Sequence, residues 1–263
     1  IRPARKTIPI CRIQRIRTGY HTIRHPIHET MKKQIGNIID LFYPRTCRVC
    51  GRMLLTHEEF LCLHCIHNIP RTDFHKKESH PMEQLFRGKI DIQDAYAFFY
   101  FTQHGDYRRL IHNIKYKGEK RCGKYLGRLF ASELLKEGKL QDIDIIAPVP
   151  LHHSRERARG YNQSEWVAKG IADVTGKEVY PHLLCRRKKN ESQTHKSLYE
   201  RWLNTHSAFY IQETAEIKDK HILLVDDVVT TGATLLACAE ALLKSGNCKI
   251  SLLTLAITQQ NNK

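Results

Sequence analysis

What the chain lacks narrows it before any motif is read. No apolar run among its 263 residues approaches the ~18–20 that a membrane-spanning helix needs. The first residues hold none of the apolar core of a secretory signal. The nucleotide P-loop, GxxxxGK followed by Ser or Thr, is absent, and an ATPase is left without its phosphate cradle. There is no internal repeat and no long low-complexity stretch. Aromatics amount to 8% and do not interleave with basic residues as a stacking platform for single-stranded nucleic acid would require. Acidic residues are the scarcer charge, 27 against 43 Lys and Arg.

The resulting net charge is +16, with 41% apolar residues, an ordinary figure for a globular protein of one large domain or a medium domain plus a small module. Residues 1–30 carry Arg2, Arg5, Lys6, Arg12, Arg15, Arg17 and Arg24 against Glu29 alone, which leaves +10 on the remainder. Such an excess fits an anionic partner: phosphate, nucleotide or nucleic acid. Residues 1–30 show no strand or helix period and read as a disordered or non-native basic extension. From Met31 the pattern changes to a short amphipathic helix with Ile35, Ile38, Ile39 and Phe42 on one face, stopped by Pro44. Residues 31–75 then form a helix plus cysteine module and 76–263 the main domain, joined by the polar connector "IPRTDFHKKESHP".

Nine cysteines are present, and four make a pattern: Cys47-x2-Cys50, eleven residues, Cys62-x2-Cys65. Two such pairs on a short hairpin place four thiolates around a tetrahedron, the ligand set of a closed, structural Zn2+ site. Gly51 allows the tight turn, and His64 and His67 stand near enough to replace a thiolate. With no export signal, Cys11, Cys122, Cys185, Cys238 and Cys248 read as reduced thiols of a cytoplasmic protein.

Beyond the connector, strand and helix patterns alternate. "DAYAFFYF" (94–101), "DIDIIAPVP" (142–150), "HILLV" and "KISLLTLAI" read as strands. "DYRRLIHNIKYKG", "KYLGRLFASELLKEG", "YNQSEWVAKGIADVTG" and "ATLLACAEALLKSG" read as helices stopped at glycines. The expected class is α/β, a parallel sheet covered on both faces by helices, with ligands bound at the carboxyl ends of the strands.

The unusual residues fall at those ends. Strand 222–225 runs into Asp226 and Asp227, and Thr230, Thr231, Gly232, Ala233 and Thr234 then turn into a helix. A Gly/Thr loop opening a helix offers backbone N–H groups and the positive end of the helix dipole to a phosphate. Carboxylates beside it suit ribose hydroxyls and a hydrated Mg2+. In "APVPLHHSRERARGYNQS" (147–164) the prolines end a strand, and Arg155, Arg157 and Arg159 cluster immediately before a helix, where guanidinium groups suit pyrophosphate or nucleic-acid phosphates.

Ile222–Thr234 fits, position by position, the thirteen-residue signature of the type I phosphoribosyltransferases, and the chain is more specifically similar to the ComF family of competence-associated phosphoribosyltransferase-like proteins. PVPLH followed by RGYNQ carries that likeness, with Tyr161 in the usual Phe position. So does "IHNIKYKGE" (111–119), with Glu119 for Asp, and the segment bearing Arg186, Gln193, Arg201, Asn204 and Phe209, with Asn190 for the frequent Thr. The resemblance spans about residues 40–257 and implies a type I phosphoribosyltransferase fold with an N-terminal four-cysteine zinc module. It implies phosphoribosyl pyrophosphate (PRPP), or a related phosphorylated ribose, bound with Mg2+ by Thr230–Thr234, Pro150, Leu151, His152, Arg155, Arg159 and Lys115. It further implies catalytic roles for Asp226, Asp227, Arg186 and Lys188, the last two on a loop, 186–201, that closes over the substrate. The acceptor carries no motif. Relatives are linked to natural transformation, so single-stranded DNA, a helicase and recombination mediators are implied partners, and a non-catalytic nucleotide-sensing or DNA-handling role is the alternative to enzyme. A glutamine amidophosphoribosyltransferase would need a large amidohydrolase domain that ~45 preceding residues cannot supply.

Overall fold

The computed structural model describes residues 44–102, 105–186, 208–212 and 216–259. Thr46–Lys263 forms one compact unit, and of the preceding unit, Ile1–Arg45, only Pro44 and Arg45 are among the described residues. The expected helix over 31–43, the closing loop with Lys188, and Asn190, Gln193, Arg201 and Asn204 lie outside them.

Among the described residues two short helices come first, α1 (Leu63–His67) and α2 (Pro81–Gln84). Then follow β1 (Ala95–Phe101), α3 (Arg108–Tyr116), α4 (Lys120–Lys136), β2 (Ile145–Pro148), α5 (His153–Arg159), α6 (Gln163–Thr175) and β3 (Glu178–Val179). The described residues end with β4 (Leu184–Arg186), β5 (Phe209–Ile211), β6 (His221–Val229), α7 (Ala233–Ser245) and β7 (Lys249–Thr258). Five strands form one sheet in the order β1-β7-β6-β2-β3, every neighbouring pair parallel, while β4 and β5 make a separate antiparallel pair.

The alternation of β6 explains why the sheet needs cover on both sides. Ile222, Leu223, Leu224 and Val225 are all fully buried. Leu223 and Val225 join a cluster with Leu126 and Phe130 of α4 and Val167 of α6, and Ile222 and Leu224 one with Leu235 and Leu242 of α7. Consecutive residues of a strand point to opposite faces, so a continuous apolar run can be satisfied only between two helix layers. α4 and α6 cross closely because Gly127 faces the carbonyl of Val167 and Gly170 that of Lys124, where any Cβ would collide. Phe98 and Phe130 stack across this layer, ring centroids 4.8 Å apart.

Three local features differ from the sequence reading. The connector is packed: Phe74 is 1% exposed and stacks on His80, and Arg71 bridges to Phe99 of β1. Apolar Phe74 fills a gap at the sheet edge, a long-range contact that local polarity conceals. The three arginines lie on a helix of their own, α5, rather than ahead of one. β6 continues through the acids to Val229, because Asp226, Val228 and Val229 keep their register with Thr254, Ala256 and Ile257 of β7.

Position in the sheet selects the site. From β2 the chain passes to β3 on one side, and from the adjacent β6 it passes to β7 on the other. The two connections diverge between β2 and β6, and a crevice opens at the carboxyl ends of strands at such a reversal.

Candidate functional site

At that edge β6 presents its two carboxylates in different surroundings. Asp227, 8% exposed, is paired with Lys115 of α3, Nζ to Oδ1 3.0 Å. Asp226 Oδ1 accepts from the Ser164 hydroxyl at 2.9 Å and from the backbone N–H of Asp227 at 2.8 Å. Burial, and after it the charge of Asp227, pushes the Asp226 carboxyl up from 3.8 to about 7, against the pull of those hydrogen bonds and Lys115. A ligand that brings positive charge, or a hydroxyl to share, is favoured there.

The loop after β6 turns at Gly232, whose φ of 76° lies in the left-handed region. Its Cα also faces the ring of buried Phe86, which a Cβ would approach to 3.0 Å. Both the backbone and the space therefore call for glycine. α7 begins directly after it with no acidic residue in its first turn, so the N–H groups and dipole at its start face outward beside Thr230, Thr231 and Thr234, all exposed.

Across the edge, β2 ends at Pro148, and the N–H of Val149 makes a last ladder bond to the carbonyl of Val225 at 2.8 Å. Pro150, with no N–H, stops the ladder, and half-buried Leu151 leads to His152, which caps α5 by accepting from the N–H of Ser154. Arg155 and Arg159, four residues apart, share one face of α5. With Lys115, Tyr116, Gly118 and Ala158 they line a cavity of about 490 Å³. Arg157 points elsewhere, into a separate cavity with His153, Glu156 and Gly160. Arg159 donates to Gln163 Oε1 at 2.8 Å and lies over the Tyr116 ring at 5.2 Å. Arg186, at the end of β4, rests on the Phe209 ring, and burial together with the charge of Arg155 pushes it down. Cations gathered against their own repulsion, with no acid among the described residues that line the cavity, suit a polyanion.

The four cysteine sulfurs all lie within 4.8 Å of one another, and Cys50 and Cys62 are 3.8 Å apart. Four thiolates at Zn–S ~2.3 Å stand about 3.8 Å apart in a tetrahedron, so the donor set fits zinc in number, chemistry and spacing. Burial works to raise the Cys47 thiol, but the N–H groups of Cys62, Cys50 and Val49 outweigh it and hold it at about 7, while burial and the neighbouring sulfurs push Cys65 up, a crowding of thiols that a shared cation relieves. His64 and His67 are exposed and outside this cluster, and His64 is engaged with Asn68. Cys47, Cys62 and Cys65 share an apolar cluster with Leu110, Ile111 and Ile114 of α3.

The structure thus brings Asp226, Asp227, Lys115 and the Thr230–Thr234 loop to one edge of the sheet, with Arg155, Arg159 and Arg186 gathered nearby. His152 is seen in a capping role. Two participants escaped sequence reasoning, Ser164 and Tyr116. The signal for Ser164 was its place in the first turn of the helix after RGYNQ, and for Tyr116 its adjacency to Lys115. No helix among the described residues is long and apolar enough to cross a membrane.

A parallel sheet with an acidic strand end and a glycine-turned helix entry defines a class, and comparison with known families agrees. The family model described as phosphoribosyl transferase domain matches residues 122–263, just over half of the chain, and the chain belongs to that family. Among relatives, the DNA utilization protein YhgH of Salmonella typhimurium is 31% identical over 152 residues, 57% of this chain and just under two thirds (66%) of that protein. The Escherichia coli protein of the same name is 28% identical over 219 residues, 81% of this chain and 90% of its own length. Competence protein ComFC of Bacillus subtilis is 32% identical over 102 residues, 39% of each chain. These relatives place the chain in the ComF branch of phosphoribosyltransferase-like proteins.

Proposed function

We propose that the chain binds PRPP with Mg2+ at the β2–β6 edge and transfers its phosphoribosyl group to a nitrogen nucleophile. The observation that carries this reading is the Lys115–Asp227 pair, 3.0 Å, beside a cavity of about 490 Å³ lined by Lys115, Arg155 and Arg159. The 5′-phosphate sits on the N–H groups of Gly232–Thr234, and the ribose hydroxyls donate to Asp226 and Asp227. Pyrophosphate lies toward Arg155, Arg159 and Arg186, and their charge offsets what develops as it departs. Lys188, outside the described residues, is assigned the same role by the family resemblance alone. Asp226 and Asp227 would be the residues that hold Mg2+, which when bound would supply further neutralisation of the diphosphate.

The names of the relatives point the role toward competence and DNA use. In the proposed role the protein acts on imported single-stranded DNA alongside a helicase and recombination mediators, in the cytoplasm. Calorimetry with PRPP and Mg2+ tests the reading. Wild type is expected to bind and the Asp226→Ala/Asp227→Ala double variant to lose at least tenfold in affinity, the ~1.4 kcal/mol that one lost charged hydrogen bond exceeds. No heat with wild type rejects it, and binding without pyrophosphate release on any nitrogen acceptor transfers the role to a non-catalytic sensor.

A further inference from the structure

One short helix joins the cysteine module to the acidic pair. α3 has nine residues, about 13 Å, too few for stability by itself, and it starts with no side-chain cap and no acidic residue in its first turn. The module holds its start instead. The Tyr107 hydroxyl donates to the carbonyl of Cys65 at 2.8 Å, and Arg109 Nη1 to the carbonyl of Val49 at 2.9 Å, inside the Cys47–Cys50 turn. The module also holds its end: Arg48, from the same turn, pairs with Glu119 at 2.7 Å. Glu119 belongs to the turn that closes α3, where the N–H of Lys117 donates to the carbonyl of Asn113 at 3.0 Å. Between these two clamps stand Lys115, on Asp227, and Tyr116, under Arg159.

We propose that Arg109 and Arg48 are positioning residues through which the metal knuckle sets the place of Lys115, so that metal held at a site touching no ligand governs affinity for the phosphorylated ribose. The carbonyl of Val49 and the side chain of Arg48 project from a two-residue turn whose shape depends on Cys47 and Cys50 sharing one ion. Release of that ion frees both clamps, and the short helix loses the restraint that keeps Lys115 against Asp227. A rigid element fixed at both ends is the physical carrier such coupling needs. The inference rests on the PRPP reading.

The test is a double-mutant cycle on the zinc-loaded full chain: wild type, Arg109→Ala, Lys115→Ala and both together, titrated with PRPP and Mg2+ by calorimetry, zinc per chain being measured alongside. Arg109→Ala is expected to weaken binding about three- to thirtyfold with zinc retained, and to have no further effect once Lys115 is alanine. Undiminished binding by Arg109→Ala, or losses that simply add, overturns the proposal. If Arg109→Ala does not fold, Arg48→Glu and Glu119→Arg replace it: each alone weakens binding and the exchanged pair restores it, whereas an exchanged pair as weak as the singles overturns the coupling. A wild type that binds no PRPP sinks the underlying reading alone. The Arg109/Lys115 cycle on unfolding free energy then decides the coupling, non-additivity supporting it and additivity refuting it.

Discussion

Replacing Asp226 with asparagine should strengthen the unliganded fold at alkaline pH while weakening the site. Burial and the neighbouring Asp227 raise the Asp226 carboxyl from 3.8 to about 7. Between those two values the folded chain keeps a proton that the unfolded chain has released. The stabilisation this provides is complete below about pH 4 and disappears as pH rises to about 7. Each pH unit of the rise is worth about 1.4 kcal/mol, so ionising Asp226 in the fold costs about 4 kcal/mol more than in the unfolded chain. Asparagine never ionises, and its oxygen can still accept from Ser164 and from the N–H of Asp227. Those bonds weaken by about 1 kcal/mol without the charge, so the expected net gain is about 2–4 kcal/mol near pH 8 and close to zero near pH 4. Denaturant unfolding of both proteins at the two pH values measures it. An equal effect at both pH values, or a less stable variant near pH 8, refutes the account of Asp226 as a carboxylate held in the fold at a cost. The same charge is what Mg2+ and the ribose would relieve, so Asp226→Asn should also bind PRPP less well than wild type.

Gly232→Ala should destabilise by about 1–3 kcal/mol, from the positive φ and the Phe86 contact, and calorimetry should show PRPP binding lost with it. Elemental analysis is expected to find one zinc per chain in wild type and none in Cys62→Ser, whose melting temperature should fall because the module shares a cluster with α3; an unchanged melting temperature would separate the module from the fold. Phe130→Ala, at a stacked position 1% exposed, should cost about 3–5 kcal/mol in denaturant unfolding.

Local order made much of this protein readable from its residues. Four thiols at fixed spacing announced their own cluster, because a short hairpin brings them together whatever surrounds it. A buried apolar strand, two acids and a Gly/Thr turn into a helix were likewise legible as a strand end that runs into a helix entry, since every part lies within thirteen residues of chain. The alternation of apolar runs with helical spacing determined a parallel, doubly covered sheet. Only the tertiary structure decided which cation meets Asp227, why Asp226 titrates apart from an ordinary carboxylate, and that Phe74 belongs inside. It alone separated Arg155 and Arg159 from Arg157 and tied the cysteine module to Lys115 through α3. Periodicity records the direction a side chain takes from its own helix or strand, whereas an ion pair or a desolvated carboxylate depends on where two distant segments come to rest, and packing sets that distance.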